Sequence, residues 1–314
     1  MTMNEFVKRA LLVICCCLFS GAVVAQIQQP NDEESSRQIV LDRFNKARPM
    51  SEATAGMGSV TSGMNAMKAP LYRRMGAARI SRRRGAPMPA TEEIGITIWR
   101  LRPSRDTDQG GRVLVLDGLK QTQYTPERIE ADTPLNVGDR VRITVESPRQ
   151  GFLYIIDREQ YQDGSFGEPM LIFPTLRTRG GDNRVMPGRL IDIPAQEDQY
   201  SFFTAAPAGS RRDQTAEVLT FMLVTAPLPL QIADQPIKLA EQQVASWEKL
   251  YGGAAETLEL VGGAGRVWTN EEKMAGMANG RQLTQGGPPP QTVYRVARKA
   301  GAPLLVTVPL RYAR

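Results

Sequence analysis

The sequence contains no histidine, and its only three cysteines stand together at residues 15–17. Zinc sites built from Cys and His, thiol nucleophiles, imidazole general bases and Ser-His-Asp triads all need residues that the rest of the chain lacks. These two absences exclude most classes of enzyme before any motif is considered.

A leader is predicted at residues 1–25. Lys8 and Arg9 come before an apolar run at residues 10–19, and small residues follow, with Val23 and Ala25 near the end. This arrangement is typical of a secretory signal peptide cleaved before Gln26. The three cysteines lie inside the apolar run, so we expect an exported chain, periplasmic or secreted, that forms no disulfide. The run is short for a membrane anchor, and no transmembrane segment is expected after cleavage.

The net charge of +6 is unevenly distributed. Residues 26–90 contain 11 Lys and Arg against 5 Asp and Glu, a balance of +6, whereas residues 91–314 contain 26 against 27, a balance of −1. The 26–90 composition predicts a basic, low-complexity tail or flexible linker, with a short helix over residues 32–46. Its clusters, Arg73-Arg74 and Arg82-Arg83-Arg84, could touch anionic surfaces. No nucleic acid partner is expected, because no aromatic stacking residues are interleaved.

After residue 91 the pattern changes to short β-type runs. Residues 140–145 alternate polar and apolar, which predicts a strand with one exposed and one buried face. Continuous apolar runs at 152–156 and 170–173 predict strands buried on both faces, joined by a turn at Asp163-Gly164. Similar runs occur at 94–98, 113–116, 200–203 and 218–224. Closely spaced strands without helices between them predict a mainly β chain, an antiparallel β-sandwich of immunoglobulin-like or related type.

A helical excursion is predicted within residues 234–279. Asp234 suits an N-cap, Pro236 suits a first helical turn, and apolar residues recur at helical spacing up to Tyr251. Thr269 and Glu272 have the spacing of a capping box at a second, short helix. Residues 292–310 then contain two strands that return to the sheet. Residues 91–314 are therefore expected to form one β-sandwich domain.

The core of this domain, about residues 134–225, resembles a known bacterial family. The order of motifs that carries the resemblance is Val137-Gly138-Asp139-Arg140-Val141, Gly151-Phe152-Leu153-Tyr154, Asp163-Gly164, Leu171-Ile172-Phe173-Pro174, Asn183-Arg184-Val185, Gly188 and Ile193-Pro194. It is similar to the family catalogued as domain of unknown function 4384, with an extra Ile in the Leu-Ile-Phe-Pro motif. The resemblance implies a β-rich accessory module of exported proteins and assigns no catalytic residue.

Two chemical motifs compete with plainer interpretations. Ser246 and Lys249 match the S-x-x-K pattern of penicillin-recognising enzymes, but Ser246 falls late in its helix and the companion motifs are missing, which favours a surface helix. Asp157, Glu159 and Asp163 offer oxygen ligands for calcium or a glycosidase carboxyl pair. Their spacing departs from the calcium-loop pattern, so a solvated acidic hairpin is favoured.

Glycines and aromatics give two weaker signals. The glycines at residues 262–265 lack the Lys-Ser/Thr of a phosphate loop and predict a flexible turn. The aromatics after residue 150 are expected to pack in the core, although they could also line a ligand groove: Tyr154, Phe166, Phe173, Tyr200, Phe202 and Phe203.

Together these patterns predict a non-enzymatic binding or scaffolding module of the cell envelope. Its partner is expected to be another envelope protein, bound through an exposed sheet edge that offers backbone donors and acceptors. No catalytic, cofactor-binding or metal-binding residue is assigned, and no cofactor is expected. The alternative is an envelope hydrolase that uses carboxylate, Ser, Lys or Tyr chemistry.

Overall fold

The computed structural model describes residues 43–51, 70–75, 91–117, 120–198, 201–207, 211–298 and 301–313. The predicted signal peptide, most of the 26–90 tail and most of the predicted 32–46 helix lie outside these residues. The described chain is mainly β and consists of two antiparallel sheets that pack face to face, which confirms the predicted sandwich.

Fifteen strands and two complete α-helices are described, and residues 43–47, at the end of the predicted 32–46 helix, are also helical. The strands are β1 (Tyr72–Met75), β2 (Thr91–Pro103), β3 (Val113–Asp117), β4 (Lys120–Ile129), β5 (Arg140–Glu146), β6 (Gly151–Tyr161), β7 (Met170–Phe173), β8 (Arg184–Val185), β9 (Ile191–Ile193), β10 (Phe203–Thr204), β11 (Gln214–Val224), β12 (Ile237–Lys238), β13 (Ala255–Leu260), β14 (Thr292–Ala297) and β15 (Leu304–Arg311). The helices are α1 (Glu241–Tyr251) and α2 (Asn270–Gly276).

The two sheets differ in size and connection. The first has nine strands, with β1-β13-β14-β2-β4-β3 along its main path and β5 pairing with β2, β9 and β10. The second has six strands in the order β12-β7-β6-β11-β15, with β8 paired to β6. Long-range antiparallel pairing therefore brings the C-terminal strand β15 against the middle of the chain.

Side chains from alternate positions of both sheets form the main core. The second sheet contributes Leu153 and Ile155 from β6, and Leu304, Val306 and Val308 from β15. The other face of β6 is also covered, because Tyr154 and Ile156 pack with Val244 of α1 in a second cluster. The continuous apolar run of β6 is thus buried on both faces, as its sequence predicts.

The predicted exposed face of β5 is wrong. Arg142 and Thr144 are buried, at 0% and 4% exposure. The guanidinium of Arg142 lies over the ring of Trp268 at 4.4 Å and pairs with Asp192 at 3.0 Å. Glu146, further along the same face, pairs with Arg48 at 2.7 Å. Polar residues alternate in β5 because this face carries a buried layer of paired charges, so the alternation does not mark a surface.

Two parts of the predicted flexible linker pack on the domain, which corrects that prediction for residues 43–51 and 70–75. Phe44 and Tyr72 are each 1% exposed and share a cluster with Leu258, Leu260 and Val293. β1 pairs with β13, and its two arginines form ion pairs, Arg73 with Glu130 and Arg74 with Glu256. Isolated apolar residues in a Gly- and Arg-rich background are enough to anchor these segments, because the sheet supplies the rest of the apolar contact.

The helical excursion begins later than predicted. Ile237 and Lys238 form β12, with Ile237 opposite Leu171 of β7, so α1 starts at Glu241 and Ala240 caps it without a side-chain hydrogen bond. Pairing with the sheet overrides the helical spacing at this point. The predicted capping box of α2 is confirmed: Thr269 accepts from the Glu272 backbone, and the Glu272 carboxylate accepts from the Thr269 backbone.

Candidate functional site

A cavity of about 160 Å³ opens between the two sheets at one end of the sandwich. Its walls are largely apolar, and exposed Phe203 and Thr204 of β10 lie at its rim. The remaining lining residues come from both sheets and from the loop before β5: Leu135, Val141, Ile143, Asp157, Ile172, Ala205, Glu217, Leu219, Leu310 and Tyr312. Strand pairing alone brings these residues together, since they span about half of the chain.

Acidic residues replace apolar ones on the inner face of the second sheet at this end. Along β6 the inward positions run Leu153, Ile155, Asp157, Glu159, and β11 places Glu217 directly opposite Glu159. The carboxyl groups of Asp157 and Glu217 are in hydrogen-bonding contact. The cavity therefore has largely apolar walls and a pair of carboxyl groups on the wall that the second sheet forms.

Uncharged side chains donate hydrogen bonds to some of these carboxylate oxygens. Gln214 Nε2 donates to Glu217 Oε1 at 2.7 Å, and the Tyr312 hydroxyl donates to the same oxygen at 3.2 Å. The Tyr161 hydroxyl donates to Glu159 Oε2 at 3.0 Å. Asp157 Oδ1 is buried and accepts a hydrogen bond from no donor among the described residues.

Burial changes the protonation of the pair. It raises the pKa of Asp157 to about 8, and the negative charges of Glu217 and Glu159 push that pKa in the same direction. Burial also raises the pKa of Glu217. Two carboxyl groups in contact cannot both ionise cheaply, so the pair holds a shared proton near neutral pH. This state can donate as well as accept hydrogen bonds.

The second candidate site is the outer edge of β15. Tyr312 donates its backbone N–H inward to Thr215 of β11, whereas the Arg311 carbonyl points outward and accepts from Leu135. Along an antiparallel strand, the backbone N–H and C=O groups of successive residues point alternately to one side of the strand and to the other. Leu305, Thr307 and Pro309 therefore direct their backbone polar groups to the outside.

Beyond the Leu135 contact this edge is open. No described residue forms a backbone hydrogen bond with the outward side of Leu305 or Thr307. Pro309 has no N–H to offer, which is the common position for proline in an edge strand. The edge thus presents two free N–H groups and three carbonyl groups.

A groove of about 380 Å³ runs beside the same edge. Leu305 and Thr307 form one wall, α1 contributes Glu248, and β13 contributes Ala255 and Thr257. Open space next to unpaired backbone groups is the geometry that an added strand requires.

The structure separates the acidic residues that the sequence groups together. Asp157 lines the cavity with Glu217, and Glu159 lies opposite Glu217 in the strand pairing but outside the cavity lining. Asp163 lies in the turn, where it accepts from the Ser165 backbone at 2.9 Å and pairs with Arg211 at 3.2 Å. Over the described ranges there is no cluster of three or more Asp, Glu, His or Cys side chains arranged to hold a metal ion.

The other sequence candidates lie apart from the cavity. Ser246 and Lys249 lie on α1, and the glycines at 262–265 form a turn. Of the aromatics, Tyr154 and Phe173 are core residues, whereas Phe203 lies at the cavity rim. Phe166 and Phe202 lie against Arg158 and Arg140, and Tyr200 is outside the described residues.

Glu217 and Tyr312 are absent from the candidates that the sequence provides. A signal for both exists, because each continues an inward-facing series: Glu217 precedes Leu219 and Phe221 at alternate positions, and Tyr312 follows Val308 and Leu310. Polar side chains that end a buried series mark the mouth of a sandwich.

Comparison with known proteins identifies no relative. No protein-family model matches the chain, and no curated protein or solved structure matches it significantly. Membership of the domain of unknown function 4384 family therefore stays a prediction. In the part of the chain that the structure describes, no helix is long and apolar enough to cross a membrane.

Proposed function

We propose that this chain is an exported, non-enzymatic binding or scaffolding module of the cell envelope, which holds an extended segment of a partner protein along the edge of β15. The observation that carries the proposal is the row of unpaired backbone groups at Leu305, Thr307 and Pro309 beside an open groove. The leader at residues 1–25 and the resemblance to accessory modules of exported proteins support the envelope location.

An extended protein segment fits this edge better than a folded surface does. Backbone hydrogen bonds supply affinity in strand addition, and pockets for alternate side chains supply specificity. Pro309 ends the run of available N–H groups, so the partner strand is expected to pair with Leu305 and Thr307 and to stop near Pro309. The groove beside α1 then accommodates the outward side chains of the partner.

One substitution separates backbone pairing from other modes of binding. Thr307 is exposed, and its N–H points away from β11. Thr307→Pro therefore removes an outward donor while leaving the β11 ladder intact. Thr307→Val is the matched control, since it keeps the N–H and a β-branched side chain. We expect envelope proteins captured by the parent protein to be captured by Thr307→Val and lost from Thr307→Pro.

Two outcomes contradict the proposal. A partner retained equally by Thr307→Pro and by the control binds elsewhere on the module. If neither the parent protein nor either variant captures an envelope protein, the case for a binding module is removed. Circular dichroism of both variants checks that the sandwich is intact.

Export has a separate test. The proposal expects the mature protein to begin at Gln26 and to react with no thiol reagent, because Cys15, Cys16 and Cys17 leave with the leader. Intact-mass measurement of the protein from an envelope fraction decides this point. A mature chain that retains the three cysteines would favour an anchored protein instead.

The hydrolase alternative has one observation in its favour, the Asp157 and Glu217 carboxyl pair beside the cavity. A pair in direct contact is closer than the roughly 5 Å separation of retaining glycosidases. It is more like the proton-sharing pair of an acid protease. Peptide, ester and glycan substrates tested with the parent protein and with Asp157→Asn distinguish the two functions, since only a hydrolase loses turnover on that change.

A further inference from the structure

The first sheet ends in a short strand that comes from the basic N-terminal region. β1 pairs with β13 over 4 residues, from Tyr72 opposite Leu260 to Met75 opposite Thr257. Because β13 pairs with β14 on its other side, β1 fills an edge of the sheet that would otherwise be open. The structure thus shows strand addition at the β13 edge, with a segment of the same chain as the added strand.

A specific pocket holds the aromatic residue of β1. Tyr72 is buried and packs in a cluster with Leu258 and Val293. Its hydroxyl donates to the Pro290 carbonyl at 2.6 Å, so the polar end of the side chain is satisfied as well. A tyrosine therefore matches this pocket both in shape and in hydrogen bonding.

The two arginines of β1 meet carboxylates of the domain. Arg74 pairs with buried Glu256 of β13. Arg73, whose side chain points to the opposite face of the sheet, pairs with Glu130 at 2.5 Å. In both pairs the cation lies on the added strand and the carboxylate lies on the domain. The β13 edge is therefore complementary in charge to a basic segment, and the pattern that it recognises is Tyr-Arg-Arg.

The length of the connection to β2 leaves β1 to be positioned by its own contacts. Met75 lies level with Ile94 across β13 and β14, so the gap between Met75 and Thr91 is roughly 20 Å. A connection of about 15 residues, as at 76–90, can span about 50 Å when it is extended. Because the tether is much longer than the gap, a segment from another molecule can make the same contacts as β1.

We propose that the β13 edge is a second strand-binding site, which recognises an extended segment of a partner protein that carries the Tyr-Arg-Arg pattern. β1 is the tethered ligand of this site and competes with the partner. The described pairing of β1 covers residues 257–260 of β13, which begins at Ala255. A partner strand that continues to Ala255 makes more backbone contacts and can displace β1. This site lies on the first sheet and does not depend on the β15 edge.

A synthetic peptide of residues 69–77, APLYRRMGA, is the probe. In the full chain, Tyr72→Ala with Arg74→Ala weakens β1, so fluorescence anisotropy should show that the labelled peptide binds this double variant. The parent protein should bind the peptide at least about hundredfold more weakly, because a tethered strand competes at an effective concentration in the millimolar range. Leu71→Ala, at an exposed position of the same segment, is the matched control and should behave as the parent does.

Three further measurements locate the binding. A peptide with Tyr72→Ala should bind the double variant at least about tenfold more weakly, since it loses the buried ring and its hydrogen bond. Methyl NMR shifts of Leu258 and Val293 should accompany binding of the unmodified peptide. Adding Thr307→Pro should leave the peptide affinity unchanged, because the β15 edge is a different site.

A milder variant keeps the test decisive where the double variant does not fold. Arg74→Ala alone leaves Tyr72 in its pocket and removes one ion pair. It should bind the peptide more tightly than the parent protein does.

Three results would overturn the proposal. Equal peptide binding by the parent and by the variants would place the peptide elsewhere on the protein. Folded variants that bind no peptide would make β1 a structural strand only. Equal binding of the tyrosine and alanine peptides would leave charge attraction as the sole cause of binding and remove the pocket as a recognition site.

Discussion

Arg142 Nη2 lies 3.0 Å from Asp192 Oδ2 beneath the outer face of the first sheet, with both side chains 1% exposed. Asp192 also accepts from Thr144 at 2.7 Å and from Gln196 at 2.6 Å, and Thr144 accepts from Trp99 at 2.8 Å. The pair is thus the centre of a connected polar network. Because these polar groups satisfy one another, this face of the sheet can be buried although it carries charged residues.

Removing one partner of this pair should cost much more than removing an exposed one. Asp192→Ala leaves Arg142 buried without a counter-charge, and we expect a loss of about 3–5 kcal/mol in the free energy of unfolding. Asp182→Ala removes the partner of Arg184, whose side chain is 71% exposed. That change should alter stability by at most about 1 kcal/mol. Urea denaturation of both variants measures the difference, and similar losses would contradict the buried network.

The N-terminal segment is expected to stabilise the whole domain. Phe44 is 1% exposed within the cluster that includes Tyr72 and Leu258. Phe44→Ala should therefore lower the free energy of unfolding by about 3–5 kcal/mol. Met50→Ala, at a position 58% exposed, should be nearly neutral. If the two variants unfold at the same urea concentration, the segment behaves as the linker that the sequence predicts.

The strands whose bounds agree best with the sequence are the apolar ones. Met170–Phe173 coincides with a predicted run, because burial on both faces selects continuous apolar residues. Thr292–Ala297 also falls in a region predicted to contain strands, although it includes Arg295, which pairs with Glu93. β4 and β13 are not predicted from the sequence. Their sequences are KQTQYTPERI and AETLEL, and their polar residues are held by neighbouring strands and ion pairs that a single sequence does not display.

The cavity is only half visible in the sequence. Asp157 and Glu159 stand out because they are near each other in the chain, but their grouping with Asp163 is wrong. Glu217 joins them through the pairing of β6 with β11 across about sixty residues. Strand order decides which distant side chains meet, and hydrophobic pattern alone does not determine strand order in a sandwich.

The turn after β6 should depend on glycine for its backbone conformation. Gly164 has a φ of +81°, and no heavy atom lies within 4 Å of the point that a Cβ atom would occupy, so Gly164→Val tests strain without steric overlap. We expect a loss of about 1–3 kcal/mol. Gly286 also has open space around it but lacks a positive φ, so Gly286→Val should cost clearly less. Equal melting temperatures for the two variants would show that strain at Gly164 is unimportant.

Stability should fall with rising pH because of Asp157. Its folded pKa is about 8. The unfolded value is about 3.9, so the folded state holds a proton that the unfolded state releases between those values. This contribution is fully present below about pH 4 and is lost as the pH rises through about 8. Asp157→Asn should therefore flatten the decline in the free energy of unfolding between about pH 5 and pH 8.5.

Asp163→Asn is the control for this pH dependence. Ser165 and Arg211 lower the pKa of Asp163 to about 2, so this carboxyl group is ionised in both states throughout the range tested. Its removal should shift stability by the same amount at each pH. Two results would contradict the assignment of the pH dependence to Asp157. One is a parent protein whose stability does not change between these pH values, and the other is a profile that Asp163→Asn flattens.

Amide hydrogen exchange along β15, followed residue by residue by NMR, tests the proposed binding edge most directly. In the free protein, Val306 and Val308 should be protected by β11, whereas Leu305 and Thr307 should exchange faster because their N–H groups point outward. Adding a captured partner should slow exchange at Leu305 and Thr307. Uniform protection of all four amides in the free protein, or no slowing of these two in the complex, would contradict the account.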